Sequence, residues 1–229
     1  MKRDNILGLK GIFCFILWFI STNYSGLPFQ ILGVDTNDIP ILIKQLYTII
    51  IELCVIIVVI LMFKDQLAIM LKDFKKNNLV YFKKYFKCWF LILALMMISN
   101  AIILLLDPSS TANNQDMVNE LFKEYPIYTF ILSVLLAPII EEFIFRLSFY
   151  NIFKNKYLFI LLSGLMFGAF HVIGSYDSAI DLLYIIPYSI PGIVFASIMY
   201  KTKNICFPVF LHFVHNGLIT SLNILLMLI

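Results

Sequence analysis

The sequence predicts an all-α protein, a polytopic membrane helix bundle of about seven transmembrane helices with a cytoplasmic N-terminus. Composition is the first observation behind this prediction, because 61% of the 229 residues are hydrophobic and only 14% are charged. Soluble domains are about 45–50% apolar and about 25% charged. We therefore expect a multi-pass integral membrane protein whose partners include membrane lipids, and we expect no nucleic-acid partner.

The second observation is a set of apolar runs that match the thickness of a bilayer, which a helix of about 17–25 residues crosses. These runs lie at 7–22, 41–63, 86–106, 126–150, 157–174, 180–200 and 205–228. The first run follows Lys2 and Arg3, so a signal peptide is an alternative, but no small-x-small cleavage site follows it. We favour a helix that is retained.

The third observation is the alternation of charge between the loops. Lysines and arginines precede the first run and follow the second, fourth and sixth runs. The other loops are acidic, with Lys123 as their single lysine. By the positive-inside rule the N-terminus is cytoplasmic and the C-terminus lies outside. This pattern supports an odd number of spans.

Two segments interrupt the apolar pattern. Residues 64–85 mix lysines with apolar residues, which predicts an amphipathic stretch on the cytoplasmic surface beside anionic headgroups. Residues 107–124 predict a polar outer loop that divides an N-terminal part, 1–107, from a C-terminal core, 125–229. Among the few polar residues of the first part, Glu52 is expected to contact a polar group of a neighbouring helix.

The fourth run contains two adjacent carboxylates, Glu141 and Glu142. Placing one carboxylate at the bilayer centre costs about 2.5–3.5 kcal/mol, so two of them indicate a function. Glu142 and Arg146 are four residues apart and can pair on one helix face. Glu141 points about 100° away from Glu142. It is therefore left to act as a base.

Two later helices bring imidazole and amide groups to the same depth. His171 closes the segment that begins at Phe167, and His212 lies four residues before Asn216. At about 1.5 Å per residue from the cytoplasmic flank, these groups and Glu141 fall about 14–22 Å deep. A lone intramembrane histidine is more often a helix-packing partner, but convergence of several polar groups is the criterion for a site.

Small residues at regular spacing predict where these helices approach each other. Gly164 and Gly168 are spaced as GxxxG on the histidine-bearing helix. Gly192 and Ala196 repeat that spacing on the next helix. Such positions let helix backbones come close together in a membrane.

The ordered set of polar residues resembles the three motifs of the CPBP (CAAX protease and bacteriocin-processing, or Abi) family of intramembrane proteases: Glu141-Glu142-x-x-x-Arg146, Phe167-x-x-x-His171 and His212-x-x-x-Asn216. The resemblance covers about residues 125–217 and extends to the type II CAAX prenyl endopeptidases. Leu147 and Ala196 stand where glycine is common in the family. Both are packing positions, so the chemistry is left in place.

The resemblance implies endopeptidase activity within the membrane. Carried over by position, Glu141 and His171 would activate the water that attacks the scissile carbonyl. His212 and Asn216 would donate hydrogen bonds to the oxyanion, which agrees with the chemistry of an imidazole and an amide. The substrate would be a membrane-associated protein or peptide.

The remaining motif residues have supporting roles by the same resemblance. Glu142 and Arg146 would fix the helix that carries Glu141, and Phe167 belongs to the second motif. The family has carried both metal-dependent and glutamate-dependent labels. We favour the metal-free glutamate mechanism, because Asn216 suits an oxyanion better than a metal.

A zinc mechanism is the alternative to the metal-free one. Its three protein ligands would be Glu141, His171 and His212, since catalytic zinc keeps three protein ligands and one open position. The sequence contains no HExxH motif. We therefore expect no cofactor, with zinc as the alternative.

Two other classes of function compete with a peptidase. One is a non-catalytic bacteriocin-immunity or scaffold protein of the same fold that binds a membrane peptide. The other is a small transporter with a proton relay, which would be expected to show two-fold repeat symmetry. The Lys-, Ile- and Asn-rich composition points to a low-GC bacterium and thus to a bacterial cell membrane.

Overall fold

The computed structural model describes residues 5–110 and 112–228, and within these ranges it is all-helical. The prediction of an all-α fold is therefore confirmed. Lys2 and Arg3 lie outside the described residues. The helices are α1 (Asn5–Asn23), α2 (Leu27–Ile31), α3 (Ile41–Met62), α4 (Lys64–Tyr85), α5 (Lys87–Leu106), α6 (Asn113–Glu124), α7 (Pro126–Ile152), α8 (Lys156–Val172), α9 (Ile185–Thr202) and α10 (Cys206–Leu228).

Each of the seven apolar runs contains one long helix. Five helices among the described residues are long and apolar enough to cross a membrane, namely α1, α3, α5, α7 and the segment Asp181–Thr202 that includes α9. Helix α8 is apolar but has only 17 residues. A multi-pass integral membrane protein is thus confirmed, whereas the count of seven spans is not. The orientation in the membrane stays a prediction of the charge pattern.

The lysine-rich segment 64–85 forms helix α4, which is tied to the connection between α9 and α10. The Asn204 side chain donates hydrogen bonds to the Met70 carbonyl and to Asp73, both at 2.7 Å. The pKa of Asp73 lies below its usual value, mainly because the Tyr81 hydroxyl donates a hydrogen bond to it. The carboxylate therefore stays ionised at neutral pH.

The prediction of a polar loop over 107–124 is wrong for Asn113–Glu124, which form helix α6. The side chains of Gln115, Val118, Asn119 and Phe122 are half-buried. Their spacing of three, four and seven residues is that of one helix face. Two of these four residues are polar. The spacing of hydrophobic residues alone therefore does not indicate a helix here.

The crossing of α8 and α9 is a contact between backbones, as the small-residue spacing predicted. A Cβ atom added to Gly164 would lie 2.3 Å from Ile193 Cγ1, and one added to Gly192 would lie 2.8 Å from the Gly164 Cα. Real side chains do not approach so closely, so both positions need glycine. This contact fixes Phe167 and His171, which follow on the same helix as Gly164.

The N-terminal helix packs against the second half of α7. A Cβ atom added to Gly11 would lie 2.8 Å from the Ser148 carbonyl oxygen. The Trp18 ring meets the Phe145 ring edge-on, with centroids 5.1 Å apart. Helix α1 therefore shares a hydrophobic core with the region 125–229, and the division into two parts stays a prediction.

We expect Gly164→Ala to destabilise the protein by about 1–3 kcal/mol, because overpacking forces the α8 and α9 backbones apart. Thermal unfolding of the purified protein in detergent measures this. Gly217→Ala on α10 is the matched control, since its added Cβ meets only Val134 Cγ1 at 3.7 Å. Equal stability of the two variants would show that the close crossing does not hold the helices together.

Candidate active site

Helix α7 is locally widened on both sides of Glu141. The segments Ile131–Leu136 and Glu142–Ser148 are π-helical and flank the α-helical piece Ala137–Glu141. Pro138 lacks the N–H that would continue the regular hydrogen-bond ladder, which accounts for the first irregularity. Local π-helical turns are frequent at functional sites. Glu141 and Glu142 therefore lie where the α-helical piece meets the second π-helical segment.

The predicted pair of Glu142 and Arg146 is present and fully buried. Arg146 Nε lies 3.3 Å from Glu142 Oε2, and both side chains have no exposed surface. The guanidinium also lies 4.3 Å from the centroid of the Phe167 ring. The buried carboxylate is therefore neutralised by a cation that an aromatic face covers.

His212 lies between the two adjacent glutamates. Its Nδ1 is 2.9 Å from Glu142 Oε1, and its Nε2 is 3.5 Å from Glu141 Oε2. A carboxylate can only accept hydrogen bonds, so His212 Nδ1 carries a proton and donates a hydrogen bond to Glu142. The ring is almost fully buried.

His171 approaches Glu141 from the other side. Its Nε2 lies 3.8 Å from Glu141 Oε1. Its Nδ1 lies 2.8 Å from the Phe167 carbonyl oxygen, which can only accept. Nδ1 therefore carries the proton of the neutral ring, and Nε2 presents a lone pair toward Glu141. The ring is stacked on Tyr188, with centroids 4.8 Å apart.

Phe167 holds the charged and aromatic parts of the site together. Its ring centroid lies 4.5 Å from that of His171 and 5.7 Å from that of His212. The same ring covers the Arg146 guanidinium. Displacement of Phe167 would therefore disturb both imidazoles at once.

Asn216 lies beside these groups and is held by a carbonyl of α7. Its Nδ2 donates a hydrogen bond of 2.8 Å to the Ser133 carbonyl oxygen. An amide nitrogen has two N–H groups, so the second N–H is left for another acceptor. Asn216 lines the same cavity as Glu141 and His171.

Two cavities meet at this site. One of about 390 Å³ contains Glu141, and one of about 240 Å³ contains His212. Both are lined by His171 and Asn216, which therefore stand where the cavities join. A chain molecule lying across the junction would pass directly over these two side chains.

The structure also uses residues that the sequence did not single out. Tyr188 stacks on His171 and the Ser133 carbonyl holds Asn216, and neither residue lies in a motif. Glu52 was expected to contact a polar group of a neighbouring helix. It instead lines the cavity that contains Glu141 and forms no hydrogen bond or ion pair with any described side chain.

The donor types around Glu141 suit zinc, but their spacing does not. Glu141 presents a carboxylate, and His171 and His212 present Nε2 atoms whose rings are held at Nδ1. In the described part of the chain, however, no group of three His, Cys, Asp or Glu side chains has an arrangement that could hold a metal ion.

Comparisons with known proteins identify relatives of this region. Residues 123–218 match the family model described as Type II CAAX prenyl endopeptidase Rce1-like. The chain is 31% identical over 121 residues to the UPF0177 protein YvdC of Lactococcus lactis, an alignment that covers 52% of this chain and 44% of that protein. It is 27% identical over 116 residues to the "Putative membrane peptidase YdiL" of Bacillus subtilis, covering 49% of this chain and 44% of that protein.

These alignments are partial. The chain spans less than half the length of each of the two curated relatives in these alignments. No solved structure matches the chain significantly. The match to the family model covers the region that carries the three motifs.

We expect Glu142→Gln to lower the free energy of unfolding by about 3–5 kcal/mol, because it leaves the buried Arg146 without its counter-charge. Chemical denaturation in detergent measures the loss. Glu141→Gln is the matched control, since its side chain is 17% exposed to the cavity. We expect that variant to lose about 1 kcal/mol or less. Equal losses would contradict the structural role of Glu142.

Proposed function

We propose that the chain is an intramembrane endopeptidase, because residues 123–218 match the model of the Rce1-like type II CAAX prenyl endopeptidases. The resemblance predicted from the three motifs is thereby confirmed. The substrate would be a peptide bond of a membrane-associated protein or peptide. One observation carries the proposal: the Nε2 atoms of His171 and His212 face the Glu141 carboxylate at 3.8 and 3.5 Å.

Glu141 and His171 would activate the attacking water. Glu141 Oε1 and His171 Nε2 are both acceptors, and two acceptors 3.8 Å apart repel unless a donor lies between them. A water molecule has two O–H donors and satisfies both groups. Its oxygen lone pair is then directed toward the scissile carbonyl carbon, and Glu141 takes the proton as the C–O bond forms.

His212 and Asn216 would stabilise the oxyanion. Asn216 uses one N–H on the Ser133 carbonyl, which orients its second N–H. His212 already donates from Nδ1 to Glu142, so it can donate to the substrate only when Nε2 is protonated as well. Preorganised donors of this kind each contribute about 10²–10³ in rate.

The remaining supporting residues would hold this arrangement fixed. Arg146 balances the charge of Glu142, which in turn orients His212. When the tetrahedral intermediate collapses, Glu141 returns its proton to the amine nitrogen as the C–N bond breaks. The peptide thus gains one water in total, and no other reactant is needed.

A non-catalytic immunity or scaffold protein remains the alternative from a different class. It would use the same cavities to bind a membrane peptide without cleaving it. Both curated relatives are bacterial, which agrees with the predicted bacterial cell membrane.

We expect Glu141→Gln to lower the rate of cleavage by at least about 10²–10⁴-fold, because glutamine cannot accept the proton of water. Membranes of cells that express wild-type or variant protein are compared by quantitative proteomics. One uncut precursor should accumulate with Glu141→Gln and would identify the substrate.

The control for this comparison is Glu120→Gln, which removes an exposed carboxylate of α6. We expect that variant to behave as the wild type. If Glu141→Gln cuts normally, the proposed mechanism is wrong. If no precursor accumulates while the cellular phenotype of the wild type is retained, the immunity or scaffold alternative is correct.

We expect a chelator to leave peptidase activity unchanged, because Glu141 and His171 activate water without a metal. The purified protein is treated with a zinc chelator, and cleavage of the identified precursor is measured before and after dialysis. Loss of activity that added zinc restores would support the alternative in which Glu141, His171 and His212 bind the ion.

A further inference from the structure

The larger cavity contains a second carboxylate that none of the three motifs includes. Glu52 comes from α3, which lies outside the family-matched segment 123–218. Its side chain is half-buried and lines the cavity together with Glu141. Within the described part of the chain Glu52 has no hydrogen-bonding or ion-pair partner. A carboxylate in this position lacks a counter-charge from the protein itself.

The other residues around this cavity suit a positive charge. No described lysine or arginine lines it. Its wall includes five aromatic side chains: Trp18, Tyr128, Phe145, Phe170 and Tyr188. Aromatic faces attract cations, and they do so more strongly where water is excluded. The cavity thus combines an unpaired carboxylate with aromatic faces, which is the chemistry of a cation-binding pocket.

The smaller cavity has a different character. Among the described residues, no acidic or basic side chain other than histidine lines it. Its polar groups are amides, imidazoles and tyrosine hydroxyls, among them Asn100, His215 and Tyr184. The junction of the two cavities, at His171 and Asn216, therefore separates an acidic side from an uncharged side.

We propose that Glu52 is a specificity-determining residue that binds a lysine or arginine side chain of the peptide substrate, next to the scissile bond. The uncharged flank of the peptide lies in the smaller cavity. This inference rests on the proposed peptidase function. Glu52 contacts the substrate and takes no part in the proton transfers.

Charge balance in the cavity explains why a basic side chain is favoured. Glu52 and Glu141 line the same cavity, so negative charges on the two carboxylates would repel each other. A bound cation screens that repulsion and pairs with Glu52, whereas a neutral peptide leaves the carboxylate without a partner. Hydrogen bonds between charged groups are roughly twice as strong as neutral ones. Basic peptides should therefore bind more tightly than neutral peptides.

The test measures cleavage preference in the full-length protein. Wild type, Glu52→Gln and Glu52→Lys are reconstituted in vesicles of phosphatidylethanolamine and phosphatidylglycerol. They receive a proteome-derived peptide library made by cleavage after glutamate, so that lysine and arginine stay internal. Mass spectrometry identifies the new termini. Glu141→Gln provides the blank, and Glu120→Gln is the matched control for loss of a carboxylate.

We expect wild-type cleavage sites to be enriched in lysine and arginine at one fixed position. Glu52→Gln should lower kcat/KM for those peptides by about tenfold or more relative to neutral peptides, with the thermal midpoint unchanged. Glu52→Lys should shift the preference toward acidic peptides. Cleavage that depends on Glu141 but shows the same preference in Glu52→Gln would overturn the inference and leave the proposed function standing.

A binding measurement separates the inference from the proposed function. Fluorescein-labelled Ala-Ala-Lys-Ala-Ala and its norleucine counterpart are titrated onto the same vesicles, and anisotropy is recorded. If the lysine peptide binds more tightly to the wild type and this advantage is lost in Glu52→Gln, the acidic pocket is supported. If no cleavage occurs in the same preparation, only the proposed peptidase function is overturned. Equal binding of the two peptides would overturn the pocket.

Discussion

The buried ion pair between Glu142 and Arg146 is the interaction on which the rest of the site depends. Neither side chain has any exposed surface, and the Phe167 ring covers the guanidinium. An unpaired charge at this depth would be strongly destabilising. Once Glu142 is neutralised, it can accept a hydrogen bond from His212, whose other nitrogen reaches Glu141. One fixed charge thus positions the imidazole beside the reactive carboxylate.

Close backbone packing connects the helices that carry the site residues. Gly164 and Gly192 bring α8 and α9 into direct contact, and Phe167 extends that contact to the ion pair. The π-helical turns of α7 place consecutive glutamates on either side of His212. Helices in a membrane associate through packing and hydrogen bonds rather than through hydrophobic burial. Small residues and buried polar groups therefore stabilise the helix bundle and also position the groups of the candidate active site.

The walls of the larger cavity come largely from outside the motifs. Glu52 and Trp18 belong to the N-terminal helices, and α6 contributes Gln115 and Val118. The segment that matches the family carries the groups around Glu141, whereas part of the surface that a substrate would touch lies elsewhere in the chain.

The sequence by itself determined the long apolar helices and the local pair of Glu142 and Arg146. Apolar runs predict α1, α3 and α5 closely, since helix length in a membrane is set by bilayer thickness. The spacing of Glu142 and Arg146 predicts their contact, because residues four apart share a helix face. Helix α6 was missed, since its buried face is half polar. Only the tertiary structure decided that Glu52 lines the cavity and that His212 bridges the two glutamates. Such contacts between distant helices depend on how each helix is rotated about its axis and on the angle at which helices cross, which no local sequence pattern encodes.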